Sequence, residues 1–291
     1  MLAQFIINGL IEGSLYALMA FGFGLVYHST RIFHIAHGAI YTSSAYFLYL
    51  FFIIMHIHLV LSIILSLICT CFIGLAIQMF VYNPVLKKQP NLLILFISSL
   101  GAYIILINLI VLLFGNETKI LLTDIEPIIQ LGDLIIIRIQ LVQFTVSLII
   151  ILTAIVVLKN NRFGYLIQAL ADDQQLLSVL GINIKNMRLL VIAIGSVFAG
   201  CAALLKSLDV GMDPYIGMDM LLTSAVAVII GGVGNYVGAV FSAVALGILQ
   251  SLIVWQTSAH WEIAITFVVL LLILFIRPYG LFSPKRRAEE I

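Results

Sequence analysis

Residues 162–188 read RFGYLIQALADDQQLLSVLGINIKNMR. They lie between two apolar runs, 141–158 and 188–208, each near the roughly 20 residues that a helix needs to cross a bilayer. Within the stretch, Phe163, Leu166, Ile167, Leu170 and Leu177 recur at helical spacing, and Asp172, Asp173, Gln174 and Gln175 interrupt them. Gly181 supplies the left-handed residue that a helix end favours. The pattern predicts two short helices lying across a membrane surface, from about 159 to 188. An interfacial helix with a solvated face and a docking helix for a soluble motor domain fit it equally well.

Outward from this stretch the chain is almost entirely apolar. Of its 291 residues 63% are hydrophobic and 9% charged, where soluble domains carry about 25% charged residues. Further runs lie at 5–27, 38–56, 59–82, 92–114, 239–254 and 262–276, with a shorter piece at 218–230. The expected fold is therefore an all-α polytopic membrane protein of eight to nine transmembrane helices, forming a single transmembrane domain over residues 1–291. No sizeable soluble domain fits between the runs. Pro84, Pro90, Pro127, Pro214, Pro278 and Pro284 are expected to fall between helices. The first run has no basic flank and carries Glu12, so it reads as a retained helix and not a cleaved signal. Cys69, Cys71 and Cys201 lie inside apolar runs and read as packing residues.

Basic residues set the orientation. Arg31, Lys87, Lys88, Lys159, Arg162, Lys185, Arg188, Arg277, Lys285, Arg286 and Arg287 collect on one side, against Lys119, Arg138 and Lys206 on the other. The first side is expected to be cytoplasmic, with the C-terminal tail and the 159–188 segment inside. The N-terminus then lies outside, provided that 218–230 crosses. The loop 115–140, with Glu117, Asp124, Glu126 and Asp133, reads as a solvated external connection.

Several residues are candidates for a path or gate. Glu12 is an acid within the first span and should face a cavity or a partner. Asn8 is a milder case of the same kind, as are Gln78, Asn108 and Gln250, which read as interhelical hydrogen bonders. Gly9 and Gly13 allow close approach of another helix, while Gly22 and Gly24 weaken the far end of the first one. The stretch Gly231-Gly232-Val233-Gly234-Asn235-Tyr236-Val237-Gly238 breaks the helical pattern, either as a tight turn or as unwound backbone beside a transport path. A similar break precedes Gly38. His34 and His37 lack a third metal ligand and read as loop or interface residues; no metal or cofactor is expected. No Gly-Lys-Ser/Thr follows any glycine run, so a phosphate loop is excluded. No nucleophile stands beside a base, which argues against an enzyme, and the net charge of +1 points to no nucleic-acid partner.

Taken together, the motifs resemble one family. RIFHIAHGAIYTSSAYF (31–47), LLSVLGINIKNMRLLVIAIGSVFAGCAALL (176–205), DVGMDPYIGMDM (209–220), AVAVIIGGVGNYVGAVFSAVALGILQ (225–250) and FIRPYGLF (275–282) are similar, in order, to segments of permease subunits of branched-chain amino acid ABC importers. The resemblance implies an inner-membrane permease that translocates branched-chain or other hydrophobic amino acids by alternating access. Its implied partners are two cytoplasmic ATPase subunits that use ATP, a second homologous permease or a second copy of itself, and an external solute-binding protein. Membrane lipid surrounds it. Gly164, Ala169, Ala171, Asp172, Gly181, Ile182 and Asn183 fall where the family contacts the ATPase. Asn8, Glu12, Gly38, Gly231, Gly232, Gly234 and Gly238 are the candidates for path or gate. Ala39 replaces an acid common in relatives, and Asn235-Tyr236-Val237 replaces the usual Ser-Ile-Pro, so a urea or amide cargo is the alternative. A stand-alone secondary carrier or channel is the rival of another class.

Overall fold

A computed structural model describes residues 1–88, 91–122, 128–131 and 134–282. Among them, eight helices are long and apolar enough to cross a membrane. The chain begins with α1 (Leu2–Thr30) and turns at Arg31, whose φ of 59° places it in the left-handed region. The helix α2 (Ala36–Tyr49) continues as a π-turn to Ile54. Next come α3 (Leu59–Ala76), a π-segment (Ile77–Tyr82), α4 (Asn83–Lys88) and α5 (Leu92–Phe114). A hairpin of β1 (Ile128–Leu131) and β2 (Leu134–Ile137) leads into α6 (Arg138–Asn160). The short α7 (Arg162–Asp172) and α8 (Gln174–Val179) precede α9 (Ile184–Val210), α10 (Ile216–Gly231), α11 (Tyr236–Gln256) and α12 (Glu262–Ile276).

Two expectations are corrected here. Pro84 does not separate two helices: Leu59–Lys88 is one continuous span. Proline removes a backbone donor and crowds the preceding turn, and the widened π-segment just before it is a register in which a helix absorbs such a defect. The connection after α5 is also more than a solvated loop. Ile128 pairs with Ile137 and Leu131 with Leu134, a short antiparallel hairpin. Asp124, Glu126, Asp133, Pro90, Pro127, Pro284 and the basic tail lie outside the described residues.

The helix α1 is the axis of the bundle. In its most apolar window 83% of residues are buried, against 6% in the last span, Ala259–Ile276, which lies at the edge. Close approach explains the difference. Gly13 lies on α11, where an added methyl group would sit 2.8 Å from Val244 Cα, and Gly22 lies on α9, 2.8 Å from Gly195 O and Phe198 Cβ. Gly22 is thus a packing residue and not the weak point expected of it. In a bilayer apolar burial gives helices little reason to associate, so dispersion across such backbone contacts matters more.

Contacts also sort the ends of the bundle. At one end Gln4 is clamped to Ile135 of β2, donating from Nε2 to its carbonyl at 2.8 Å and accepting from its N–H at 2.9 Å. Lys119, beyond α5, pairs backbone to backbone with Met212, just before α10. At the other end Arg31 reaches the Ala171 carbonyl, Gln174 reaches that of Ser29, and Asn235 donates to the Phe282 carbonyl at 2.7 Å. Residues 4 and 282 are therefore at opposite ends. The 16 residues of α10 run from the first end toward the second, but they span only about 24 Å, less than a hydrocarbon core of about 30 Å. Its first turn meets that of α2 at Gly217 and Gly38. Because the two helices approach from opposite ends, that meeting point lies inside the bundle.

Candidate functional site

Between Ile11 and Val26, only Glu12 and Tyr16 on α1 are not buried. With Asn8 they occupy positions one helical turn apart, so one narrow face of the central helix is open. The Glu12 carboxylate pairs with the Lys206 ammonium of α9, the two side chains being 32% and 15% exposed respectively. The second carboxylate oxygen, Oε2, is buried and has no hydrogen-bond partner. Glu12 thus faces a partner, as an acid in a span must.

Lys206 is the residue whose role sequence reasoning missed. Counted only toward the orientation of the chain, it sits one turn before the end of α9, inside the span. The signal was available, since Lys206 lies within the apolar run 188–208 itself. The Gly22–Gly195 contact sets the register of α1 against α9 and brings Lys206 level with Glu12. Asp209, Asp219 and Glu262 stand within electrostatic reach of this pair or of one another. Asn8 accepts a 3.0 Å bond from Gln4, which ties this face to the hairpin.

The glycine stretch 231–238 lies elsewhere. It forms the turn from α10 to α11, with φ of 94° at Gly232 and 95° at Gly234. A methyl group on Gly234 would meet His28 Nε2 at 2.6 Å, and Gly231 and Gly238 pack on one another's backbone. Asn235 caps α11 by accepting from Gly238 N–H at 2.9 Å. The structure therefore places Gly231, Gly232, Gly234 and Gly238 at the end opposite Asn8 and does not bring them together with Glu12. Gly38 belongs to neither group, being packed on Gly217.

His34 locks the start of α2. His34 Nδ1 and the Tyr82 hydroxyl are 2.5 Å apart, Tyr82 donates to Ser99 Oγ at 2.8 Å, and Ser99 accepts from Ala36 N–H at 3.0 Å. Burial, and then the neighbouring His37, hold the His34 imidazole well below its usual pKa. No group of three or more His, Cys, Asp or Glu side chains suited to a metal occurs among the described residues. Of the polar residues within spans, Gln250 donates to Thr266 of α12 at 2.8 Å, while Asn108 bonds only within its own helix.

The other candidate cluster is at the end marked by Arg31 and Phe282. Ile167 and Leu170 are fully buried and Leu177 nearly so, which fixes α7 and α8 to the bundle. A side chain at Gly164 would collide with the Leu158 carbonyl. Asp173 caps α8, accepting from Gln175 and Leu176 N–H at 2.8 and 3.0 Å. Asn183 caps α9, accepting from Lys185 and Asn186 N–H at 3.1 and 3.3 Å. Gly181 bends the chain between them at φ 81°. The opposite face is bare: Asp172 is exposed, and Leu176, Val179 and Leu180 are 56%, 82% and 67% exposed. Such apolar exposure beyond the spans fits a docking surface or a helix face lying in the membrane interface.

Comparison with known proteins agrees with this architecture. Residues 5–275 match the family described as branched-chain amino acid transport system, permease component. The chain is 27% identical to the high-affinity branched-chain amino acid transport system permease protein BraD of Pseudomonas aeruginosa, over 96% of this chain and 95% of that one. It is 28% identical to the corresponding protein LivH of Salmonella typhimurium, over the same shares. Among solved structures, PsaBC from Streptococcus pneumoniae in complex with Fab has the same fold, with a TM-score of 0.55 at 17% identity, over 96% of this chain and 97% of that one. The chain is a multi-pass membrane protein that belongs to the branched-chain amino acid transport system permease family.

Proposed function

We propose that this chain is the non-catalytic permease subunit of an ATP-driven importer in the inner membrane, moving branched-chain or other hydrophobic amino acids by alternating access. The observation that carries the reading is the α7–α8 segment. It is fastened to α1 by Arg31 and Gln174, yet it presents Leu176, Val179 and Leu180 outward at the end where eight of the 11 lysines and arginines among the described residues collect or lie nearest, with Lys119, Arg138 and Lys206 toward the other. That charge bias makes this end cytoplasmic and puts the chain beyond Phe282 inside. In this reading the motor lies outside these 291 residues, which hold no phosphate loop, and an exposed apolar surface bound to the central helix is a means of passing a push into the bundle. Closure of an ATPase pair would then rock this permease against a second homologous permease, or a second copy, while a solute-binding protein delivers cargo at the hairpin end.

The test is affinity purification of the tagged chain from its native membrane in mild detergent, followed by reconstitution. The expected result is co-purification of an ATPase and a second permease in stoichiometric amounts, and ATP-dependent uptake of L-leucine once the binding protein is added. A chain that purifies alone and moves solute without ATP is a secondary carrier, and the proposal then fails.

A further inference from the structure

The proposed function leaves open how an apolar bundle handles the one part common to every amino-acid cargo, its charged ammonium and carboxylate. The open face of α1 offers an answer. A buried ion pair is a poor source of stability, because desolvating two charges offsets their attraction. The Glu12–Lys206 pair moreover is not sealed, since both side chains keep part of their surface accessible. Two acceptors are left over. Glu12 Oε2 has no partner, and the Tyr41 hydroxyl of α2, 1% exposed, has none either while lying in the field of Glu12. Buried polar atoms in folded proteins are nearly always satisfied, and of the twelve such atoms without a partner among the described residues these two stand out because one belongs to a charged pair inside a span and the other lies in its field.

We propose that Glu12, Tyr41 and Lys206 form a binding station for the backbone of a zwitterionic α-amino acid. This rests on the importer reading and deepens it by naming the part of the cargo that is recognised. The cargo ammonium, with three donors, engages Glu12 Oε2 and the Tyr41 hydroxyl, and the Lys206 ammonium turns from Glu12 to the cargo carboxylate. The resident pair thus stands in for the cargo when the station is empty: each charge exchanges one partner for another of the same sign, and no charge is left unpaired at depth. Asp209 and Glu262 add negative potential around Lys206, which favours the ammonium. A neutral amide or urea presents no carboxylate to Lys206 and leaves the pair intact.

The experiment uses the whole importer in proteoliposomes with its binding protein and radiolabelled L-leucine, and compares wild type with Tyr41→Phe, the neutral double variant E12Q/K206M and the swapped variant E12K/K206E. The swap preserves an ion pair and serves as the control for folding, monitored by thermal stability. All three variants are expected to lower ATP-driven uptake by roughly tenfold or more, as loss of a hydrogen bond to a charged group would, with the swap and Tyr41→Phe holding wild-type stability. Wild-type uptake by the swapped variant or by E12Q/K206M makes the pair purely structural and overturns the station. Unchanged uptake by Tyr41→Phe removes the ammonium subsite and overturns it as drawn. If wild type carries urea and not leucine, the cargo assignment and the station fall together.

Discussion

Individual residues here act mainly through how closely they let backbones approach. Gly22 has no room for even one methyl group, because both neighbours on α9 are 2.8 Å from where it would sit, one of them a backbone oxygen. Gly22→Ala is therefore expected to destabilise the detergent-solubilised protein by about 1–3 kcal/mol, as overpacking does, and to lower its melting temperature. Gly101 in α5 is the control, since nothing lies within 4 Å of an added methyl there. Gly101→Ala is expected to leave the melting temperature unchanged or raise it, through the better helix propensity of alanine. Tyr82 acts by hydrogen bonding instead. Tyr82→Phe strips partners from His34 and Ser99, both fully buried, and is expected to cost about 1–3 kcal/mol in the same melt.

At the scale of an element, α7 and α8 matter as a pair joined rigidly to the spans on either side. Gly181 sits at φ 81°, which proline cannot adopt. Gly181→Pro is expected to displace α8 from α9, so that uptake is lost while the chain still inserts and the assembled complex still hydrolyses ATP. A charge reversal at exposed Asp172 is expected to act in the same direction through the docking surface alone. Parallel assays of uptake and hydrolysis read both, and normal transport with either change would remove α7–α8 from the coupling role. The glycines at 231–238 behave differently as an element. Their positive φ values and packing against His28 make a tight turn, and Gly234, with Asn235, Tyr236 and Val237, also lines a pocket closed on its other side by Leu158, Lys159 and Gln168.

For the whole molecule, the prediction concerns sidedness. The contacts put Gln4 and Phe282 at opposite ends, and the bias of basic residues makes the Phe282 end cytoplasmic. In a background with Cys69, Cys71 and Cys201 replaced by serine, Ala3→Cys is expected to react with a membrane-impermeant maleimide in intact cells. Tyr279→Cys is expected to react only after the cells are opened. Labelling of both from outside would return the chain to an even number of crossings.

The sequence by itself determined the membrane class, the eight long spans and the two short helices at 162–179, because hydropathy and helical spacing are local properties that each segment carries alone. It also pointed to Glu12, since an acid in hydrocarbon is costly wherever the rest of the fold lies. What it could not determine was the company such residues keep. Lys206 counted only toward orientation until the Gly22–Gly195 register set α9 against α1, and Tyr41 drew no reading of its own until α2 was placed. The helix that continues through Pro84 was likewise hidden, since a wider hydrogen-bond register leaves no mark in residue pattern. Those features depend on how helices distant in sequence are aligned in space, and only close packing of the folded bundle decides that.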